Sequence, residues 1–346
     1  MALSQNQIKK ARDELDSCKN PLFLYDDDQD GLCSFLQMYR YKQEGKGVIV
    51  KTLPKIGTLF LRHVEEYHPD KIFVLDIADI EQEFIDSAKV PVIWIDHHGP
   101  YQRENVKYFN PRLEGNDNFP TSFLCHQITN KKEDLWIAAI GCIADWFIPP
   151  FLDEFMKEYP DIIDNSFKEV GDIIFNTKLG KIIRVLSFIL KGRTSEVQRC
   201  IRALAKMKSP YEILNGDTEN GKMIYKRYSD ANKEFEPLLK DMLKEAAKSK
   251  DLVFFKYPHD STSFTSDLGN EAIYRFPEKV VIIAREKGDE LKCSIRSSKI
   301  NLKPIVEKSV SGLEGYGGGH EHACGLNIKT RDFPVFLERF RKHLNF

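Results

Sequence analysis

The first half of the chain alternates short, almost uniformly apolar runs with longer segments of helical periodicity. The runs are "PLFLY" (21–25), "GVIVK" (47–51), "KIFVLD" (71–76) and "PVIWID" (91–96). Unbroken apolar runs of this length read as strands covered on both faces, the situation in a parallel sheet. Between them, "LCSFLQMYRYKQ" and "DIEQEFIDSAK" carry the spacing of covering helices, so the pattern predicts an α/β fold with an N-terminal parallel-sheet domain. An amphipathic helix opened by Ser4 precedes the first run.

Beyond residue 150 the pattern changes. "KLGKIIRVLSFILKG" and "ANKEFEPLLKDMLKEAAKSK" space apolar residues three and four apart, which predicts a helical connector. Strand-like runs return with "DLVFFKY" (251–257), followed by "KVVIIARE" and "ELKCSIRSS" around the polar "KGD", a hairpin signature. A Gly-rich stretch, "GLEGYGGGH", and a terminal amphipathic helix, "DFPVFLERFRKHL", close the chain. The expected organisation is a parallel-sheet domain over 1–150, a helical connector over 151–250 and a smaller C-terminal α/β domain over 251–346.

Composition narrows the function classes. Lys and Arg total 51 against 52 for Asp and Glu in 346 residues, a net charge of −1, so a polyanion must be met by a local basic cluster. The seven cysteines contain no CxxC pair and read as thiols of a reducing compartment, which makes a cytoplasmic location the expectation. No apolar run is long enough to cross a membrane, and the N-terminus does not read as a signal peptide.

Candidate chemistry gathers where strands stop, the place at which open parallel sheets bind ligands. "YDDDQDG" (25–31) puts four aspartates directly after the first run. Such crowding demands raised pKa values or a compensating cation. A solvated acidic turn is the bland alternative. An EF-hand loop begun at Asp26 would end on Gln37 instead of Glu. Asp76 and Asp96 close two further runs, and His97 and His98 follow the latter; either aspartate alone could be a helix cap. Aligned strand ends would bring Asp28, Asp30, Asp76 and His97 into one crevice, and mixed carboxylate and imidazole ligation suits manganese. "DLWIAAIGCIADWF" (134–147) carries a single later carboxylate, Asp145, expected deep in an apolar helix and therefore in need of a partner.

"DDDQDG", Asp76, "DHHG" (96–99) and "GCIAD" (141–145) together resemble motifs I to IV of the DHH phosphoesterase superfamily, the first being most similar to its RecJ-like branch. "SIRSS" (294–298) and "GGGH" (317–320) resemble the DHH-associated C-terminal domain. The resemblance implies two cations, manganese or in its place magnesium or cobalt. Asp28 and Asp76 would hold one, with Asp26 at or near it. Asp30, Asp76, His97 and Asp145 would hold the other. It further implies that Asp96 orients a histidine and that His98 meets the scissile phosphate, although for His98 a structural hydrogen bond is an equal alternative. Arg296, at the edge of the hairpin, and Gly318, Gly319 and His320, in a loop facing the metals, would bind substrate; a flexible turn and a surface ion pair are the alternatives. Zinc at "HEHAC" (320–324) would lack a fourth ligand. Basic residues in "KGRTSEVQR" and "RALAKMK" would line a cleft or simply face solvent. Tyr316 is a candidate base-stacking platform, and "YFNPR" (108–112) a loop near the metals or an Asn-Pro turn.

The resemblance therefore implies a manganese-dependent exonuclease or oligonucleotide hydrolase acting on single-stranded RNA or DNA and releasing nucleoside 5′-monophosphates. The chain has no room for the extra oligonucleotide-binding fold of bacterial RecJ, which shifts the expectation toward short strands. A phosphatase or phosphodiesterase for 3′-phosphoadenosine 5′-phosphate or cyclic dinucleotides, and a non-catalytic replisome scaffold, are the competing readings. Replication or repair partners and a homodimer are compatible with the leading one.

Overall fold

The computed structural model describes residues 2–51, 55–115, 118–258 and 262–344. Two compact units divide the chain, Met1–Lys226 and Arg227–Phe346. The first begins with α1 (Gln5–Ser17), opened by a reciprocal cap in which Ser4 accepts the Gln7 N–H and the Gln7 side chain accepts the Ser4 N–H. Then follow β1 (Pro21–Asp26), α2 (Gln29–Lys42), β2 (Lys46–Val50), β3 (Lys55–Ile56), α3 (Leu61–Tyr67), β4 (Lys71–Leu75), β5 (Asp79–Ile80), α4 (Gln82–Ala88), β6 (Val92–Ile95), β7 (Val106–Phe109), α5 (Thr121–Thr129) and α6 (Leu135–Ala144). The main sheet is parallel throughout, in the order β2-β1-β4-β6-β7. The four apolar runs thus lie in adjacent strands. Strand β7 is an addition: "VKYF" carries a charge and sits at the sheet edge, so it lacks the unbroken apolar run that marks a doubly covered strand.

The winding of this sheet places the site. From β1 the chain moves outward to β2 on one side, then crosses back to β4, β6 and β7 on the other. The order reverses between β1 and β4, and the crevice at their carboxyl ends is where such sheets take ligands. Leu22, Leu24, Ile72, Val74 and Trp94 pack one face with Phe84 of α4. On the other, Phe35 of α2 stacks on Tyr25 at 4.4 Å and meets Phe23 edge-on. α2 is buried on nearly every side, from Asp30 through Met38, because α5 and α6 cover what the sheet does not.

The remaining helices of this unit are α7 (Leu152–Glu158), α8 (Val170–Asn176), α9 (Lys178–Ile189), α10 (Thr194–Leu204) and α11 (Tyr211–Asn215); α12 (Glu219–Lys248) runs across the boundary between units. The second unit contains β8 (Leu252–Tyr257), α13 (Thr265–Arg275), β9 (Val280–Lys287), β10 (Glu290–Ser297), α14 (Lys303–Val310), β11 (Gly315–Gly319), β12 (Ala323–Lys329) and α15 (Phe333–Leu344). Its mixed sheet has the order β11-β12-β10-β9-β8. The β9–β10 hairpin turns through Gly288, whose φ of 63° a two-residue turn requires. Phe333, Phe336, Phe340 and Leu344 of α15 bury the helical face that the sequence spacing marks out.

Two expectations need correction here. Gly315–Gly319 is not a loop but the outermost strand, paired with β12. A side chain at Gly315 would place its Cβ 2.5 Å from the Asn327 carbonyl, and one at Gly317 would meet Val306 at 2.7 Å, so close backbone and helix packing explain those glycines. Arg296 lies on β10, between β9 and β12, and not on a sheet edge. Among the described residues no helix is long and apolar enough to cross a membrane.

Candidate metal centre

The acidic turn after β1 is built into the start of a helix. Asp26 ends β1, Asp28 is the N-cap of α2 and accepts the Gly31 N–H at 2.9 Å, and Asp30 lies in the first helical turn. Helix N-termini favour carboxylates, which offsets part of the cost of crowding them. Gly31 is required by the geometry, since a Cβ there would lie 2.7 Å from the Asp26 carbonyl oxygen and 2.8 Å from its nitrogen.

Asp30 is buried and its two oxygens accept the backbone N–H groups of Ser122 at 2.8 Å and Thr121 at 2.7 Å. It therefore caps α5 while keeping lone pairs for another ligand. Asp76 follows β4 with a φ of 61°, a left-handed conformation that non-glycine residues adopt at a cost. The Thr121 hydroxyl donates to its Oδ1 at 3.1 Å. His97 is buried, with Nε2 3.4 Å from Asp76 Oδ1, and Nδ1 3.8 Å from Asp145 Oδ2 and 3.0 Å from Asn118 Oδ1. Asp145 differs from the expectation: α6 stops at Ala144, so the carboxylate stands at the helix C-cap and is half-buried instead of deep in an apolar helix.

Three groups of side chains present ligand atoms within 4.8 Å of one another: Asp26, Asp28 and Asp76; Asp30, His97 and Asp145; and Asp76, His97 and His98. Every residue proposed from the sequence as a metal ligand is in one of them. Ligands on opposite sides of an octahedral divalent ion stand about 4–5 Å apart, so these spacings fit such ions. The electrostatics point the same way. Burial, reinforced by the other carboxylates, pushes Asp26, Asp76 and Asp145 well above the ordinary range, and lost hydration with the charge of Asp30 lifts Asp28 to about 6. Asp26, Asp28, Asp76 and Asp145 are thus harder to ionise than free carboxylates, a cost that bound divalent cations would offset, and carboxylates with an imidazole form a donor set that suits such ions.

The histidines are differentiated. Burial and its neighbour His98 push His97 down, toward the neutral form that coordinates metals. Burial would lower His98 too, but the hydrogen bond and charge of Asp96, with Asp26 and Asp145 behind it, raise it to about 9. Asp96 thus makes His98 hold its proton more firmly than a free imidazole. Asp96, fully buried, is reached by the Tyr108 hydroxyl at 3.3 Å and by Asn110 Nδ2 at 3.4 Å, and Asn110 also donates to the His98 carbonyl at 2.9 Å. "YFNPR" thus supplies both an Asn-Pro turn, with Asn110 accepting the Arg112 N–H, and support for the histidines. Asn118, Thr121 and Ser122 escaped the sequence reading; the only hint was a helix start at "PTS", whose unpaired N–H groups need an acceptor.

In the second unit Arg296 Nε donates to Asn270 Oδ1 at 2.8 Å, and Nη1 to the Ile295 and Cys324 carbonyls. Burial lowers its pKa to about 10, leaving it charged at neutral pH. Gly318 has only the Glu307 carboxylate near its missing side chain, at 3.9 Å, and Gly319 has a φ of 145°. His320 is exposed and its N–H bonds to Ala323, and Tyr316 is 59% exposed.

Comparison with known proteins settles the family. Residues 23–141 match the DHH family, N-terminal domain, and residues 267–345 match the DHHA1 domain. The chain belongs to the DHH family. Its fold is RecJ-like: RecJ in complex with Mn2+ from Thermus thermophilus superposes with a TM-score of 0.71 at 16% identity, covering 100% of this chain and 56% of that one. An exonuclease RecJ bound to manganese gives 0.67 at 16% identity, covering 99% and 95%. A pGpG-specific phosphodiesterase from Vibrio gives 0.50 at 15% identity, covering 94% and 99%. This DHH protein therefore spans little more than half of the Thermus RecJ chain. No curated protein sequence matches it.

Proposed function

We propose that this DHH protein is a manganese-dependent phosphodiesterase, an exonuclease that releases nucleoside 5′-monophosphates from single-stranded RNA or DNA, short oligonucleotides included. The observation that carries the reading is Asp76, whose carboxylate is shared between a cluster with Asp26 and Asp28 and a second that includes His97. Asp26, Asp28 and Asp76 would hold one divalent ion, and Asp30, Asp76, His97 and Asp145 the other. Bound there, two cations supply Lewis-acid charge that activates water and neutralises a phosphoryl group.

The chain's own residues do the rest. The Thr121 and Ser122 N–H groups fix Asp30, and the Thr121 hydroxyl fixes Asp76. Asn118 faces Nδ1 of His97 and orients the ring. His98, kept protonated by Asp96, offers a charge-assisted hydrogen bond to a phosphate oxygen or a proton to the leaving oxygen. Arg296, Gly318, Gly319 and His320 would hold the substrate. A complete ligand set weighs against a non-catalytic scaffold.

The second reading is hydrolysis of small nucleotides, dinucleotides or 3′-phosphoadenosine 5′-phosphate, on the same ligand set. Incubation of the full chain with Mn2+ and twenty-nucleotide strands labelled at either end, beside a dinucleotide and the bisphosphate, separates the two. A ladder of single-nucleotide steps from one end, abolished by chelator, is expected. Turnover of the small substrates alone moves the assignment to the second reading, and no turnover of any of them rejects both.

A further inference from the structure

A groove of about 1020 Å3 lies beside β2 within the first unit, and among the described residues no Asp or Glu lines it. Its basic side chains come from three separate segments: Lys46 at the start of β2 and Lys51 just beyond its end, Arg62 and His63 of α3, and Arg202 of α10 with Lys206 just beyond it. None of Lys46, Arg62, Arg202 and Lys206 has a carboxylate at ion-pair distance among the described residues; Glu66, largely exposed, stands 4.0 Å from His63. The walls are aromatic: Tyr39, Phe60 and Tyr67 are half-buried along it, with Phe35 buried beneath, and the Lys46 ammonium lies 5.5 Å from the Tyr67 ring centre.

A solvated sheet edge guarded by lysines would account for Lys46 and Lys51. It does not account for Arg62, Arg202 and Lys206, which two further segments, far apart in sequence, bring to the same wall. Lys46, Arg62, Arg202 and Lys206, gathered with no carboxylate at ion-pair distance among the described residues, raise the potential of the groove and favour an anionic occupant. Gly47 keeps the floor flat, since a Cβ there would strike the Phe35 ring at 2.5 Å. The carboxyl end of β2 lies beside the metal centre, since Val50 pairs with Asp26 in the sheet register and Lys51, which lines the groove, follows it. Lys51 donates to the Leu190 carbonyl at 3.1 Å.

We propose that this groove binds the sugar-phosphate backbone of a single-stranded nucleic acid whose end occupies the metal crevice, with its aromatic walls stacking on unpaired bases. β2 is about 16 Å long at the usual strand rise, enough for a few nucleotides. Basic grooves with aromatic platforms bind single strands without sequence preference and with marked salt dependence. The choice of occupant rests on the reading of the chain as a nucleic-acid hydrolase.

The test is fluorescence anisotropy of labelled four- and twenty-nucleotide single strands on the full chain in chelator, where no turnover occurs. Arg62, Arg202 and Lys206 are exposed, so Arg62→Ala/Arg202→Ala/Lys206→Ala is expected to keep the wild-type melting temperature; Arg202→Glu/Lys206→Glu is the second variant. Wild type should bind the longer strand more tightly. The triple variant should bind it about tenfold more weakly, with the slope of log affinity against log salt reduced by about 2, while Mn2+-dependent turnover of a dinucleotide is unchanged. An unchanged affinity and slope overturns the proposal, as does wild-type binding that does not grow with strand length. Absence of turnover on every substrate would instead reject the hydrolase reading, and the anisotropy would still report on the groove.

Discussion

Asp96 grips His98 at two points: its Oδ1 lies 2.7 Å from the ring Nδ1, and its Oδ2 accepts the His98 backbone N–H at 3.0 Å. The adjacent His97 turns the other way, toward Asp76 and Asp145. Two neighbouring imidazoles are thereby pushed in opposite directions, His97 toward the neutral form and His98 toward the protonated one.

Asp96→Asn removes the charge that keeps His98 protonated while retaining its shape. The expected result is a fall in kcat of about 10²-fold or more, the usual worth of a positioned acid or base, with Mn2+ affinity and melting temperature near wild type. Steady-state kinetics beside calorimetric metal titration check it; unchanged kcat would leave His98 with a structural role.

Asp76→Asn separates charge from backbone. Asn tolerates the left-handed φ of 61° that Asp76 adopts, so the fold should persist while both clusters lose a shared ligand. Turnover should fall to background and the metal stoichiometry from two to one or none, read by calorimetry. Retention of two bound ions would count against the shared carboxylate.

Stability of the metal-free protein should depend on pH in an unusual direction. Asp28, lifted to about 6, and Asp26, Asp76 and Asp145, each raised well above the ordinary carboxylate value, bind protons more tightly in the folded state than in the unfolded chain. Their contribution is therefore favourable at low pH and is lost as pH rises through the folded-state values. In chelator the melting temperature should fall as pH rises through about 6. Excess Mn2+ should raise it, most at the higher pH, because ligands bind the folded form with carboxylates ionised. Thermal melts across pH with and without Mn2+ decide it.

Gly31→Ala should act on the site through the backbone. The new Cβ would sit 2.7 Å from the Asp26 carbonyl oxygen, forcing α2 from the end of β1. Overpacking of this kind costs about 1–3 kcal/mol, measurable by urea unfolding, and displaced ligands should weaken Mn2+ binding about tenfold or more. Gly115→Ala, with nothing within 4 Å of the added carbon, is the control and should change neither.

The parallel sheet was legible because "PLFLY", "KIFVLD" and "PVIWID" are apolar at nearly every position, the mark of strands covered twice. Asp26, Asp28, Asp76, His97 and Asp145 stood out for a related reason: a charge set directly after a buried run loses hydration, and a bound cation or a helix cap is what restores that loss. Asn110, Asn118, Thr121 and Ser122 did not stand out. Polar residues and helix-start N–H groups occur in every turn, and only their distances to Asp30, Asp76, Asp96 and the two histidines give them meaning.

Sequence alone determined the four apolar strands of the main sheet, helices that cover them and the acidic turn that opens α2, since hydrophobic periodicity and capping act over a few residues. The fold decided what depends on separate segments meeting. It set the reversal of strand order between β1 and β4, the opposite directions in which His97 and His98 are pushed, the glycine run as an edge strand and the basic groove along β2. Electrostatic and steric interactions fall off with distance in space and not along the chain, so they take effect only where folding has brought those segments together.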